Sequence, residues 1–307
     1  MRKVLIIMLV TAFTVQAVPY YSTPGNVYAG SGPAWNSAAD GSGNNGSSAS
    51  YKAGVELHLQ AGSKFISKGS YYASSPWDAS AYYWQGATLA LEGGASVNFT
   101  GGDINFTAAS TILSGGGTSL GGTSTAHLNG NTLTFSQTFS GANGALDFNL
   151  NIVGSGSLDL SYSNSALVYN FNALNENFTG NILGDKFHGT VHFKEGDGAI
   201  NTGLILARDA TADGKLDLDG MFSVSSLKIE NVVFADGAYN YAELLAVGSA
   251  NGKNFADNLV NNGGKIFIGQ VVSGSISATP EPASYALLII GICGLFSFGR
   301  HQQQKPT

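Results

Sequence analysis

Leu89-Ala-Leu-Glu-Gly-Gly-Ala-Ser-Val-Asn-Phe-Thr-Gly-Gly-Asp-Ile-Asn-Phe106 sets the expectation for the fold. Leu89 and Leu91 alternate with a small residue, Val97 and Phe99 with Asn98, Ile104 and Phe106 with Asn105. In an extended strand, residues i and i+2 share a face, so each apolar pair points one way. Gly93-Gly94 and Gly101-Gly102 supply corners between the three strands, which start eight and then seven residues apart at Leu89, Val97 and Ile104. Glycine reaches backbone angles that sharp corners demand.

Working outward, the same pattern returns at Leu133/Phe135, Leu146/Phe148/Leu150/Ile152, Leu158/Leu160, Val191/Phe193, Leu204/Leu206, Leu216/Leu218 and Leu227/Ile229. Two all-β architectures fit it. A Gly-punctuated parallel β-solenoid, or β-helix, winds three short strands per turn and stacks their apolar residues in one core. A β-sandwich uses similar strands as antiparallel hairpins. Spacings of seven to eight residues suit solenoid faces; the absence of a constant repeat length points the other way. Phe178-Thr-Gly-Asn-Ile182 and Gly189-Thr-Val-His-Phe193 resemble passenger β-helix repeats of autotransporter-type surface proteins. Near the end of the body, Tyr239 to Val247 reads as a short helix whose Leu244 and Leu245 cap the core. Lys265 to Val272 reads as a last strand.

Composition narrows the class. Of 307 residues, 42 are glycine and 11% are charged, against roughly a quarter in ordinary globular domains. The single cysteine, Cys293, lies in a C-terminal apolar run, so the body has no disulfide. Residues 18–50 are rich in Gly, Ser and Asn and read as a flexible segment before a β-rich body at 51–272.

The two ends carry addresses. Arg2-Lys3, the apolar run Val4 to Val15 and the small residues of Val15-Gln16-Ala17 form a secretory signal peptide over 1–17. Signal peptidase is expected to cut between Ala17 and Val18. At the other end, a polar linker at 273–279 precedes Pro280-Glu281-Pro282, the uncharged run Ala283 to Gly299, then Arg300, His301 and Lys305. As a helix, 283–299 reaches roughly 25 Å, enough for a transmembrane segment whose flanking residues snorkel. The basic residues after it place the tail in the cytoplasm and the body outside.

Residues 280–305 resemble the PEP-CTERM sorting signal, with tripeptide, apolar helix and basic end in order at the extreme C-terminus. The family usually has several arginines directly after the helix; here Arg300 is followed by His301 and three glutamines. The resemblance implies an exosortase as processing partner, a transient stay in the inner membrane, and release to the cell surface or extracellular matrix. It assigns sorting roles to Pro280, Glu281, Pro282 and Arg300. Because the catalytic cysteine of that reaction belongs to the exosortase, it leaves Cys293 a lipid-facing or packing residue. A plain, uncut C-terminal anchor is the alternative.

Without Arg2, Lys3, Arg300 and Lys305, the 14 basic residues become 10; without Glu281, the 20 acids become 19, a net charge of −9 on the exported part. Such a body is no partner for nucleic acid, whose phosphates need Lys and Arg.

Candidate sites are few. Gly117-Thr-Ser119-Leu-Gly121 matches a nucleophile-elbow pattern but has no helix after it. His188 and His192, four apart, would sit ~13 Å apart on one strand, too far to share a metal. Asp209, Asp213, Asp217 and Asp219 are weak candidates for a structural calcium site lacking its terminal acid, and no other cofactor is expected. Tyr71, Tyr72, Trp77, Tyr82, Tyr83 and Trp84 form an aromatic cluster. Of these, Tyr72, Trp77, Tyr83 and Trp84 could stack on sugar rings, or the cluster could cap the core. The sequence therefore leads to a non-catalytic surface or exopolysaccharide-matrix component. The alternative is a β-helical polysaccharide lyase or hydrolase with the same address, for which Arg208 and Asp209 are the notable residues.

Overall fold

A computed structural model describes residues 18–270, apart from 23–24, 29–34, 37–44, 47–54, 69–76, 93, 138–143, 161–166, 175–176, 185–186, 195–197 and 207–213. The expected signal peptide, linker, PEP-CTERM signal and transmembrane helix lie outside the described residues. Among those described, no helix is long and apolar enough to cross a membrane.

The chain winds as a parallel β-solenoid of about six turns. Three sheets run along it, and within each the neighbouring strands come from successive turns. The opening stretch shows the principle. Thr88–Glu92 lies on sheet 2, Ser96–Phe99 on sheet 3 and Ile104–Ala108 on sheet 1. The chain then returns to sheet 2 with Ser110–Ser114, which pairs in parallel with Thr88–Glu92. Parallel pairing in all three sheets excludes the sandwich of hairpins.

Turn length explains why no constant repeat is visible. In-register partners are 22 residues apart at Tyr82 and Ile104, 23 at Leu89 and Ile112, and 28 at Leu120 and Phe148. The strands stay aligned while corners absorb the difference. Corners also pack tightly: a Cβ on Gly102 would lie 1.6 Å from the Ser80 carbonyl oxygen of the turn before. No side chain fits there.

The core is three sets of inward files. On sheet 1, Leu57, Tyr82, Ile104, Ala126 and Ile152 stack in register. On sheet 2, Leu133, Leu158, Ile182, Leu204 and Leu227 do so. On sheet 3, Val97, Leu120, Phe148, Phe171 and Phe193 do so. All of these are at most 3% exposed. Each buried Leu or Phe contributes roughly 1.5–3 kcal/mol. Every apolar pair named from the sequence between Leu89 and Ile229 points into this core.

The segment expected to be flexible begins as structure instead. Val18–Ser22 pairs in parallel with Val55–Gln60, and Gly25–Tyr28 with Ser63–Lys68. Val18-Pro-Tyr-Tyr-Ser is a strand former whose character is diluted when averaged with the glycines and serines after it. Trp35–Asn36 then pairs antiparallel with Val18–Ser22, and Asn45–Gly46 with Trp35–Asn36.

The C-terminal end differs from the middle. Gly198–Leu206 and Met221–Ile229 are nine-residue strands of sheet 2. The last strand is Lys265–Ile268, and Gly237–Asn240 pairs antiparallel with its far edge. The helix is Tyr241–Ala250, two residues later than expected, because Tyr239 belongs to that antiparallel strand. Its capping box is complete: Glu243 N donates to Asn240 Oδ1 at 3.0 Å, and Asn240 N to Glu243 Oε2 at 2.7 Å. Leu244 is fully buried, and Leu245 packs on the core from the edge, as their expected role requires.

Candidate functional site

With the core filled by apolar side chains, the described strands present most of their polar side chains to solvent on the outward files. On sheet 3 the first file is Ser96, Ser119, Asp147, Asn170, His192 and Asp217, one above another over six turns. A second file lies two residues on. Asn98 pairs with Gly121, and backbone bonds to Leu120, Phe148 and Phe171 set Asn149, Asn172 and Lys194 above them. Asp219 follows, its Oδ2 3.7 Å from His192 Nε2.

These side chains bond along the stack. Ser96 and Ser119 share a hydrogen bond of 2.5 Å. Asn170 Nδ2 donates to Asp147 Oδ1 at 2.7 Å, and Asn172 Nδ2 to Asn149 Oδ1 at 3.0 Å. Asn262 Nδ2 donates to Asp217 Oδ1 at 2.7 Å. Each bond joins neighbouring turns, so the ladder orients its own members. Charge is mixed: Asp147, Asp217 and Asp219 stand against Lys194 and the neighbouring Lys215, with His192 among them.

The other outward faces are less regular. On sheet 2 the file Lys64, Thr88, Thr111, Thr134 and Asp159 gives way to Leu183 and Ile205. On sheet 1 it runs Tyr21, His58, Tyr83, Asn105, His127 and ends at Val153. His58 is sandwiched there: its ring centroid is 4.6 Å from both Tyr21 and Tyr83. Burial pulls its pKa below the ordinary 6.5, opposed by Glu56, whose Oε2 lies 3.5 Å from Nε2. His127 Nε2 lies 3.2 Å from Asp103 Oδ2.

The aromatic cluster is mostly core. Trp77 is 5% exposed and Trp84 1%, so neither offers a face to a sugar. Alternation along Ala81–Gln85 turns Tyr82 and Trp84 inward and Tyr83 outward. The Tyr82 hydroxyl donates to the Trp77 carbonyl and accepts from Ala79 N. Tyr83 does face out, but His58 covers one ring face, with 16° between the planes. Tyr71 and Tyr72 lie outside the described residues.

The remaining candidates separate. Ser119 lies on the strand Thr118–Gly122 beside Ser96, so the elbow geometry is not present. His192 is on the strand Thr190–Phe193, whereas His188 precedes it, so the two do not share a strand. Asp217 and Asp219 face outward on one side, opposite Leu216 and Leu218, as alternation requires. Arg208, Asp209 and Asp213 lie outside the described residues, as do Ala17 and the sorting residues Pro280, Glu281, Pro282 and Arg300. Val18 opens the first strand of sheet 1, opposite Val55. Among the described residues, no group of three or more His, Cys, Asp or Glu side chains could hold a metal ion.

The sheet 3 ladder was not anticipated. Its members were visible as polar residues flanking apolar pairs, but their alignment depends on turn lengths of 22 to 28 residues that the sequence does not mark. No family model matches this chain, and neither does any curated protein or solved structure.

Proposed function

We propose that the chain is an exported bacterial envelope protein, sorted by a PEP-CTERM route, and a non-catalytic structural or adhesive component of the cell surface or exopolysaccharide matrix. The observation that carries this reading is the continuous apolar core under outer faces whose side chains stack turn upon turn. Such a body is a scaffold that displays one side chain per turn per file, a form suited to extended contact. The N-terminal Arg2-Lys3 with its apolar run, and Pro280-Glu281-Pro282 with Arg300, supply the route.

Fractionation of the native cell tests it. In a strain without its exosortase, the full-length chain is expected to accumulate in the inner membrane, while the parent strain releases a shortened form. Unchanged size and location would overturn the sorting part. Cleavage of polysaccharide by the purified chain would overturn the non-catalytic part.

A further inference from the structure

Resting on that reading, we infer that the outward face of sheet 3 is a docking surface for an extended, uncharged polysaccharide laid along the solenoid axis. Its file from Ser96 to Asp217 carries a polar side chain on every turn, whereas the files traced on the other two sheets end in Ile205 and Val153; beside it, the file Ala145, Val168, Thr190 and Lys215 is partly apolar.

Hydrogen-bond capacity selects the chemistry. The amides of Asn170 and Asn172 each spend one N–H on the turn below, on Asp147 and Asn149. An amide has two N–H donors and a carbonyl acceptor, so donors and acceptors are left over toward solvent. A hydroxyl both donates and accepts, and a chain of hydroxyls can match both kinds. The lattice is regular: turns are ~4.8 Å apart, and the two files stand about 6.8 Å apart along each strand. A repeating polymer meets side chains at the same spacing on each turn, with amides at Asn149, Asn170 and Asn172 in the middle of the face.

Charge selects among polymers. Three carboxylates on this face outnumber its two lysines, Lys194 and Lys215, and the exported part carries net −9, with 10 bases against 19 acids. An anionic polysaccharide is repelled and an uncharged one is not. The ladder is also preorganised, because neighbouring turns already hold the amides in place, which lowers the ordering cost of binding. Each contact is weak, so affinity must rise steeply with polymer length.

The test is affinity electrophoresis of the full chain, in neutral detergent, through gels containing dextran, hydroxyethyl cellulose, galactomannan or alginate. Binding is expected for at least one of the three uncharged polymers and not for alginate, with its short oligosaccharides binding at least tenfold more weakly. The double variant Asn149→Ala/Asn172→Ala should lose at least tenfold in apparent Kd. The sheet 2 double variant Thr111→Ala/Thr134→Ala should bind like the parent, and matching melting curves would show both variants folded. If the parent binds an uncharged polymer and both variants bind equally, sheet 3 is not the site, although the matrix reading stands. Retardation by alginate alone would overturn the choice of ligand. If the parent binds no polymer, the adhesive reading fails with it.

Discussion

Between Ala81 and Phe171 each turn places a strand on all three sheets. Beyond Gly198 two strands of sheet 2 lengthen to nine residues, the described strands of sheet 1 have ended, and an antiparallel strand and a helix follow. The middle turns need nothing more, because each ladder of N–H and C=O groups is taken up by the turns on either side. The last described turn has no described successor, and without a cover its edge would be open, which invites pairing with other chains. Gly237–Asn240 fills that edge on sheet 2, and Leu244 and Phe255 roof the core. Repetition and termination thus require different sequences: alternation with corner glycines for one, a capping box and mixed pairing for the other.

The most severe break belongs to the middle. Phe148 is 1% exposed, and Phe148→Asp places an unpartnered carboxylate in the core, so cooperative folding is expected to be lost. Asp147→Ala, one residue away on the outward file, removes one half-buried hydrogen bond and should cost about 1 kcal/mol. Thermal melts of the two variants compare them directly, and equal melting temperatures would refute the register.

The corners come next. Gly102→Ala drives a methyl group into the Ser80 carbonyl and should cost about 3 kcal/mol. Gly130 has φ +80 and nothing within 4 Å of its would-be Cβ, so Gly130→Ala should cost only about 1 kcal/mol of backbone strain. Denaturant titration separates close approach from left-handed backbone as the reason for each glycine.

At the closing end, Leu244→Ala should cost roughly 2–3 kcal/mol. Its damage should stay local: amides of Lys265–Ile268 lose hydrogen-exchange protection, whereas those of Gly144–Phe148 keep theirs. Uniform loss along the chain would mean that the end and the middle unfold as one unit. Asn240→Ala removes the capping box and should cost about 1 kcal/mol, read as fraying of the same helix.

The smallest expected effect lies at the opposite end. His58 has a folded pKa below its ordinary 6.5, because burial between Tyr21 and Tyr83 outweighs the pull of Glu56. Below 6.5 the unfolded chain therefore binds the proton more readily than the folded one. The contribution of neutral His58 is present above 6.5 and lost as pH falls through the lower folded value. A slight acid-side fall in melting temperature is expected, and His58→Gln should flatten it.

Much of the middle was legible from alternation alone. Leu89/Leu91, Val97/Phe99 and Ile104/Phe106 landed on three sheets as their spacing implied, and Leu244 was recognisable as a cap. Trp77 and Trp84 show where such reading stops. Both are aromatic enough to suggest a sugar platform, and at Trp84 only the strand phase set by Tyr82 decides that it faces inward. Val18–Tyr28 was hidden by the composition of its neighbours. The sheet 3 ladder was hidden for a different reason: Asp147 and Asn170 meet only because two turns of unequal outline place them in register.

The turn length has a mechanical meaning. Each turn holds its neighbours through short parallel ladders; 22 to 28 residues of chain are wound between one partner and the next in the middle, 37 between Val18 and Val55, and 44 between Met221 and Lys265. A chain held at one end and pulled at the other would load these ladders in succession, unzipping an end turn while those behind it stayed folded. At about 3.5 Å per extended residue, even the shortest middle turn releases roughly 80 Å of slack. The coil would therefore yield in steps far longer than its own ~4.8 Å rise per turn, dissipating tension by lengthening and not by letting go.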